Sequence, residues 1–311
     1  MAAEIGGRRR GVLALLLGVV CLLPAGAEGE KLYKYRDEQG RLVFSDKIPQ
    51  QATPVDIRQV DPGKPRRKIS LVHRGSKERP VLVAVNQYDG PVEIRLSWSQ
   101  QTNVQSSVPF PARFVVPPRR EMELSSLAPV REDQSWAYSY QWTWVPGAPG
   151  AAPPQPGYAA PFCRGSFPVS QGFNGAFSHQ DPENRYAVDL AMPVGTPLCA
   201  AREGVVMEVA GDYFAGGTDR AELMERANFV RILHDDGTMA LYAHLQLESL
   251  QVLPGQRVRV GETIGYSGDT GYSSGPHLHF AVQQNTGMAI ISIPFTFFDQ
   301  EPRLGQQVSA R

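Results

Sequence analysis

The stretch PHLHF, residues 276–280, sets His277 and His279 one residue apart in a chain that has six histidines in all. Its apolar neighbours predict an extended strand, in which alternate side chains share a face, so the two imidazoles project together while Leu278 points into the other layer. Side by side and unpartnered, two imidazoles repel each other when charged. A shared metal ion, or one metal ligand beside one acid/base, removes that conflict. A catalytic zinc takes about three protein ligands of the His/Asp/Glu type and keeps a position open for water. Further candidates lie upstream in FSHQDPENRYAVDLAMPVGTP, where His179 precedes Asp189, a carboxylate set among Ala187, Val188, Leu190 and Ala191. A charge among apolar neighbours is costly unless neutralised or coordinated, and metal coordination would supply that compensation.

The elements that must position these residues read as strands. GVVMEVAGD, NFVRILHDDGTMALYAHL, QRVRVGETIGYSG and PHLHFAVQQN carry strand and hairpin patterns, with Asp236-Gly237 as a tight-turn pair. DRAELMERA (219–227) is the one helical candidate. The Gly-rich GYSGDTGYSSGP (265–276) permits tight backbone geometry just before the histidine strand, either lining a substrate groove or serving only as a turn. His234, beside Asp235 and Asp236 at a hairpin tip, could mimic a metal cluster but is expected to be solvent exposed. His73 has no partner in sequence and reads as a surface or packing residue.

Residues 68–145 hold repeated short strands, from KISLVH to WAYSYQWTWV, with turns such as Tyr88-Asp89-Gly90-Pro91 and no long helical periodicity. This predicts a β-sandwich-like middle domain. Trp136, Tyr138, Tyr140, Trp142 and Trp144 alternate strictly and so share one strand face; a sugar-stacking platform and a sandwich core both fit, and the core is the expectation. The Pro/Gly/Ala-rich segment 146–161 reads as a linker that holds the following domain, 162–300, at a distance, with 301–311 as a C-terminal tail. The fold class is mainly β throughout.

Lys+Arg and Asp+Glu both number 31, so no global positive field exists to hold nucleic acid or an anionic membrane surface. Residues 1–27 run from Arg8-Arg9-Arg10 through an apolar stretch to Ala25-Gly26-Ala27, the pattern of a cleaved signal peptide, which predicts a periplasmic or secreted protein. Membrane attachment follows only if that segment stays uncleaved, or if Cys21 carries a lipid. Residues 28–50 form a small β module, with a hairpin pattern in KLYKYRDEQGRLVFSDKIP, and resemble the short N-terminal module of unknown function found on many exported bacterial proteins. Residues 51–67, with Pro54, Pro62 and Pro65, read as a linker. Cys163 and Cys199 remain after cleavage; in an oxidising compartment pairing is the economical expectation, two buried thiols the alternative. No Gly-x-Ser-x-Gly elbow, phosphate-binding loop or Cys-x-x-Cys appears.

YAVDLAMPVGTPLCAAREGVVMEV, YAHL and VLPGQRVRVGETIGYSGDTGYSSGPHLHFAVQ together resemble the LytM/lysostaphin-type zinc metallopeptidases, family M23, over roughly residues 165–297. The resemblance implies an antiparallel-sheet metallopeptidase domain that binds Zn2+ through His179, Asp189 and His279. His244 and His277 then match two further histidines that orient or activate water and stabilise the oxyanion. Zinc in such a site makes water nucleophilic near neutral pH. The implied substrate is peptidoglycan, cut in its peptide cross-links. One departure stands out: the common family pattern is His-x-x-x-Asp, but the residue four before Asp189 is Arg185, and His179 lies ten before it. A loop over QDPENR, with turn-forming Pro182 and Asn184, would deliver His179. Without that ligand the domain would resemble metal-free members that regulate other wall enzymes, such as an amidase. A wall-binding module gripping sugar through the aromatic strand is a third reading.

Overall fold

The computed structural model describes residues 30–36, 42–45, 56–60, 68–150 and 157–311, and the expected signal peptide lies outside them. The fold is mainly β: among the described residues the one α-helix is Arg220–Leu223, capped by Asp219, whose carboxylate accepts from the Glu222 amide at 3.2 Å. No helix among these residues is long and apolar enough to cross a membrane.

Glu30–Arg36 pairs with Leu42–Ser45 in the antiparallel hairpin that the sequence suggests. Its other edge pairs with Asp56–Val60, inside the segment read as a linker. In sequence the strand falls between Pro54 and Pro62, so neither proline lies within it.

Two antiparallel sheets make the sandwich. One runs in the order Ile69–Gly75, Pro80–Asn86, Glu121–Pro129, Val104–Ser106; the other in the order Ala137–Pro146, Val92–Thr102, Ala112–Val116. Between them Leu82, Ile94, Leu96 and Val116 are fully buried, and all five alternating aromatics pack, half-buried, against this core. Burial thus uses the aromatic face that a sugar platform would need free. His73 is exposed, its ring 5.8 Å from that of Tyr140.

The larger sheet is antiparallel, in the order Arg257–Val258, Gly204–Ala210, Phe229–Leu233, Met239–Ala243, His277–Asn285, Val188–Ala191, Ser166–Gln171, Gln307–Ser309. One face carries Leu190, Val206, Ile232, Tyr242, Leu278 and Phe280, buried in a common core. The other face floors an open groove. The disulfide Cys163–Cys199 ties the chain entering this sheet to the Pro197–Cys199 strand.

The two sheet systems are not held apart. Met207, Met239 and Ile290 of the larger sheet belong to the core of the sandwich. Glu93, 2% exposed, accepts from Asn285 Nδ2 at 2.9 Å and from the Met288 amide at 2.7 Å, and Asn285 Nδ2 also donates to the Gly147 carbonyl at 3.0 Å. The Pro/Gly/Ala segment therefore ends against packed structure on both sides.

His234 departs from the expected exposure. It is 2% exposed, and its Nδ1 donates to the Glu203 carbonyl at 2.6 Å. A Cβ on neighbouring Gly204 would stand 2.4 Å from the Leu233 carbonyl and 3.1 Å from His234 Nδ1, so only glycine lets the hairpin end tuck in this way. Burial outweighs the hydrogen bond and pulls the imidazole down to about 4. The folded chain then holds His234 neutral while the unfolded chain protonates it near 6.5, so stability present above pH 6.5 is lost as pH falls towards 4. The loss by pH 4.5 is roughly 2 to 3 kcal/mol. Urea midpoints at pH 7.5 and 4.5 should therefore converge more in His234→Gln than in the parent; equal acid sensitivity in the two would refute the assignment.

Candidate metal centre

Strand register brings the first two groups together. Asp189 on Val188–Ala191 lies directly opposite His279 on His277–Asn285, and Ala191 lies opposite His277. Ala243, the last residue of its strand, faces His279 from the other side, so His244 emerges just past the strand end. There its backbone turns left-handed, with φ of +64°, a conformation that a non-glycine residue adopts only under local constraint. The constraint is visible: Nδ1 of His244 donates to the Thr270 carbonyl at 2.7 Å.

His179 arrives on the loop between Ser166–Gln171 and Val188–Ala191. Gln171 organises that loop: its amide nitrogen donates to Ser178 Oγ at 2.7 Å and to Asp189 Oδ2 at 2.8 Å, and its oxygen accepts from the Phe177 amide at 3.0 Å. Asp181 builds the following turn by accepting from the amides of Glu183 and Asn184 at 3.0 and 3.1 Å. Ser292 fastens the turn from outside, its amide donating to the Pro182 carbonyl at 2.8 Å. The result is a fully buried His179 whose Nε2 lies 3.2 Å from Asp189 Oδ1.

The far sides of the rings settle where their electron pairs point. His179 Nδ1 faces the Gly172 carbonyl at 3.0 Å, and a carbonyl only accepts, so the proton sits on Nδ1 and the Nε2 pair faces Asp189. His277 Nδ1 likewise faces the Gly275 carbonyl at 2.7 Å. His279 is held the other way round, with Nε2 3.1 Å from Asn184 Oδ1. That oxygen cannot exchange places with the amide nitrogen, because Nδ2 donates to both oxygens of Asp181 at 3.0 and 3.1 Å. His279 Nδ1 therefore presents its pair to Asp189 Oδ1, at 2.9 Å.

Two imidazole electron pairs and a carboxylate oxygen thus converge where only a proton or a metal cation can lie between them. The ligand atoms of His179, Asp189 and His279 all fall within 4.8 Å of one another. The Asp189 separations of 3.2 and 2.9 Å are close to the roughly 3.3 Å edge of a tetrahedron with zinc-length bonds. A set of two imidazoles and one carboxylate suits zinc with an open position. Burial opposes ionisation of Asp189, yet hydrogen bonds and positive charge from His179 and His279, when a proton sits on the nitrogen facing it, outweigh burial and hold its carboxyl well below the usual range; a metal cation would take the place of that proton. Burial, aided by His277 and His279, pulls His244 down to about 3 and keeps it neutral.

His244 and His277 complete the cluster, with ring centroids 4.5 Å apart, and His277 Nε2 lies 3.7 Å from Asp189 Oδ1. The groove beside them has a volume of about 590 Å³. Tyr272, Ser273 and Gly275 line it, so the Gly-rich segment faces the groove and is more than a turn. Gly271 there has φ of +81°, and a Cβ would stand 2.6 Å from that of Ala227. The structure brings together all five residues singled out from the sequence. Gln171 and Asp181 were not singled out, and Asn184 only as a turn former, because a lone polar residue in a loop carries no periodicity to mark its partners.

Residues 183–290 match the model of peptidase family M23, a span that contains Asp189, His244, His277 and His279 but begins after His179. Residues 19–69 match a domain of unknown function, DUF4124. The chain is 34% identical over 119 residues to the glycyl-glycine endopeptidase ALE-1 of Staphylococcus capitis, covering 38% of this chain and 28% of that protein. It is 39% identical over 92 residues to the peptidoglycan DD-endopeptidase ShyA of Vibrio cholerae, covering 30% of this chain and 18% of that protein. The matches thus span less than a third of the length of either relative. The catalytic domain of lysostaphin from Staphylococcus simulans aligns with a TM-score of 0.29 at 27% identity, covering 42% of this chain and 87% of that one.

Proposed function

We propose, from the peptidase family M23 domain that this chain carries, that it is an exported zinc-dependent endopeptidase hydrolysing the peptide cross-links of peptidoglycan. The convergence of imidazole electron pairs on Asp189, each fixed from behind by a carbonyl oxygen, is the observation that carries this reading. The similarity to proteins named as glycyl-glycine and DD-endopeptidases supports the substrate class.

His179, Asp189 and His279 would hold the ion. Zinc, when bound there, supplies Lewis acidity towards water and a peptide carbonyl. The remaining chemistry belongs to side chains of the chain. His244 and His277 have each committed Nδ1–H to a backbone carbonyl, so each offers a single acceptor nitrogen at Nε2. His244, kept neutral by burial, does not repel a cation, and its free Nε2 can hold a proton between water and the departing amine. Gln171 holds the second oxygen of Asp189, leaving Oδ1 for the ion.

Muropeptide analysis tests the reading. Zinc-loaded protein incubated with purified sacculi should convert cross-linked dimers to monomers. His244→Ala should slow this about 10²-fold while zinc content is unchanged, the loss expected of a removed general acid/base. Intact dimers in the presence of an amidase whose activity rises on addition of the chain would replace this reading with that of a regulator.

A further inference from the structure

We infer that Arg231, braced by Gln283, is a carboxylate-reading subsite in the groove floor, and that the preferred substrate peptide bears a free carboxylate about three to four residues from the bond cut. The inference rests on the proposed peptidase function and specifies the substrate of that same groove.

Strand register sets its position. Ala243 lies opposite both His279 and Phe229, and Arg231 follows Phe229 by two residues, so all four side chains rise from one face of the sheet. Two strand spacings across and two residues along place Arg231 roughly 12 Å from His279, the length of three to four residues of extended peptide. Both Arg231 and Gln283 line the groove.

The guanidinium is under-used by the protein. Its side chain is 14% exposed, yet among the described residues only one of its five N–H donors makes a hydrogen bond, from Nη1 to Gln283 Oε1 at 2.5 Å. Nε is buried without an acceptor among the described residues; Glu208 Oε2 stands 3.6 Å away, within ion-pair range but outside hydrogen-bond geometry. Gln283 is oriented for bracing, since its Nε2 donates to the Glu183 carbonyl at 3.0 Å and leaves Oε1 for the arginine. A purely structural cross-strand pair with Glu208 would account for one edge of the fork and leave the rest unexplained.

The charged neighbours shape what can bind. Glu208 offsets one charge, and the phenol of Tyr88, kept neutral by burial, leans on that carboxylate. Glu183 also lines the groove, with burial and Asp181 pushing its carboxyl up and Arg231 pulling it down. A planar fork in a half-enclosed groove favours a carboxylate that takes two parallel N–H bonds over a single neutral carbonyl. A peptide bridge built only of glycine offers no such group.

The test uses a cross-linked muropeptide dimer with free carboxylates and the same dimer with those carboxylates amidated. Binding is measured on the full chain stripped of metal by a chelator, and cleavage on the zinc-loaded chain. The parent should bind the acid form at least about 10-fold more tightly, a gap within reach of one charged hydrogen-bonded pair. In Arg231→Gln the gap should close, with the loss in KM and not in kcat, and Arg231→Lys should restore part of it. Equal binding of acid and amide by the parent, which needs no variant, overturns the inference, as does a preference that survives Arg231→Gln. An Arg231-dependent preference in binding without cleavage of either dimer would keep the subsite and remove the proposed activity.

Discussion

Replacing His179 with alanine is expected to take bound zinc from about one ion per chain to near none and to slow cross-link cleavage by at least about 10³-fold. Only Asp189 and His279 would then remain of the three ligands, and a catalytic zinc site needs about three. The effect should be specific to the ring, because the loop that carries it is built by other groups: Gln171 holds its first half, and Asp181 and Ser292 its second. Elemental analysis of the purified variant, with competition against a chromophoric chelator, reads the loss directly, and a thermal melt without metal shows whether the domain still folds. Full zinc retention in a folded His179→Ala chain would show that the ion is held by some other set, and the proposed mechanism would fall with it.

The second large effect is on stability. Serines at both Cys163 and Cys199 are expected to lower the unfolding free energy by about 4 kcal/mol, the chain-entropy value for a closed loop of this length. The bridge spans 36 residues, and the segment it closes contains His179 and Asp189. Two backbone bonds run alongside it, from the Cys163 amide to the Pro197 carbonyl at 3.0 Å and from the Cys199 amide to the Pro161 carbonyl at 3.2 Å. These keep the native geometry available without the bridge, so the change should act through the unfolded chain and leave zinc content near its parent value. Urea unfolding of parent and double variant under non-reducing conditions checks it; a difference under about 1 kcal/mol would mean that the unfolded chain already keeps that segment closed.

What the sequence reveals about this site follows from how local each signal is. His277 and His279 are legible because strand periodicity alone puts them on one face, and Asp189 because a carboxylate in an apolar run demands a partner. His179 is legible only through the turn formers of the loop after it, since ten intervening residues leave no fixed period. Arg231 is not legible at all, and Asn184 only as a turn former, not as the partner of His279. Asn184 matters because Asp181 turns its oxygen towards a ring on another strand, and Arg231 because three strands pair in one register. His234 misleads for a related reason: its burial depends on the missing side chain of Gly204, on a neighbouring strand. The third N-terminal strand hides behind prolines that mark its ends.

The shared packing of sandwich and larger sheet has a thermodynamic consequence. Glu93 is a buried carboxylate whose Oε2 accepts from Asn285 and the Met288 amide, groups nearly two hundred residues away in the chain, while its Oε1 lies 3.7 Å from Arg113 of the sandwich. Separating the sheets would leave Oε2 of Glu93 without its donors and would open the contact where Met207 lies over Gly90. Neither half can melt first without that loss, so the two are expected to unfold together, as a single transition in a thermal melt would show. Damage to the sandwich, far from any histidine, is then felt as a fall in the population of chains able to hold a metal ion at all.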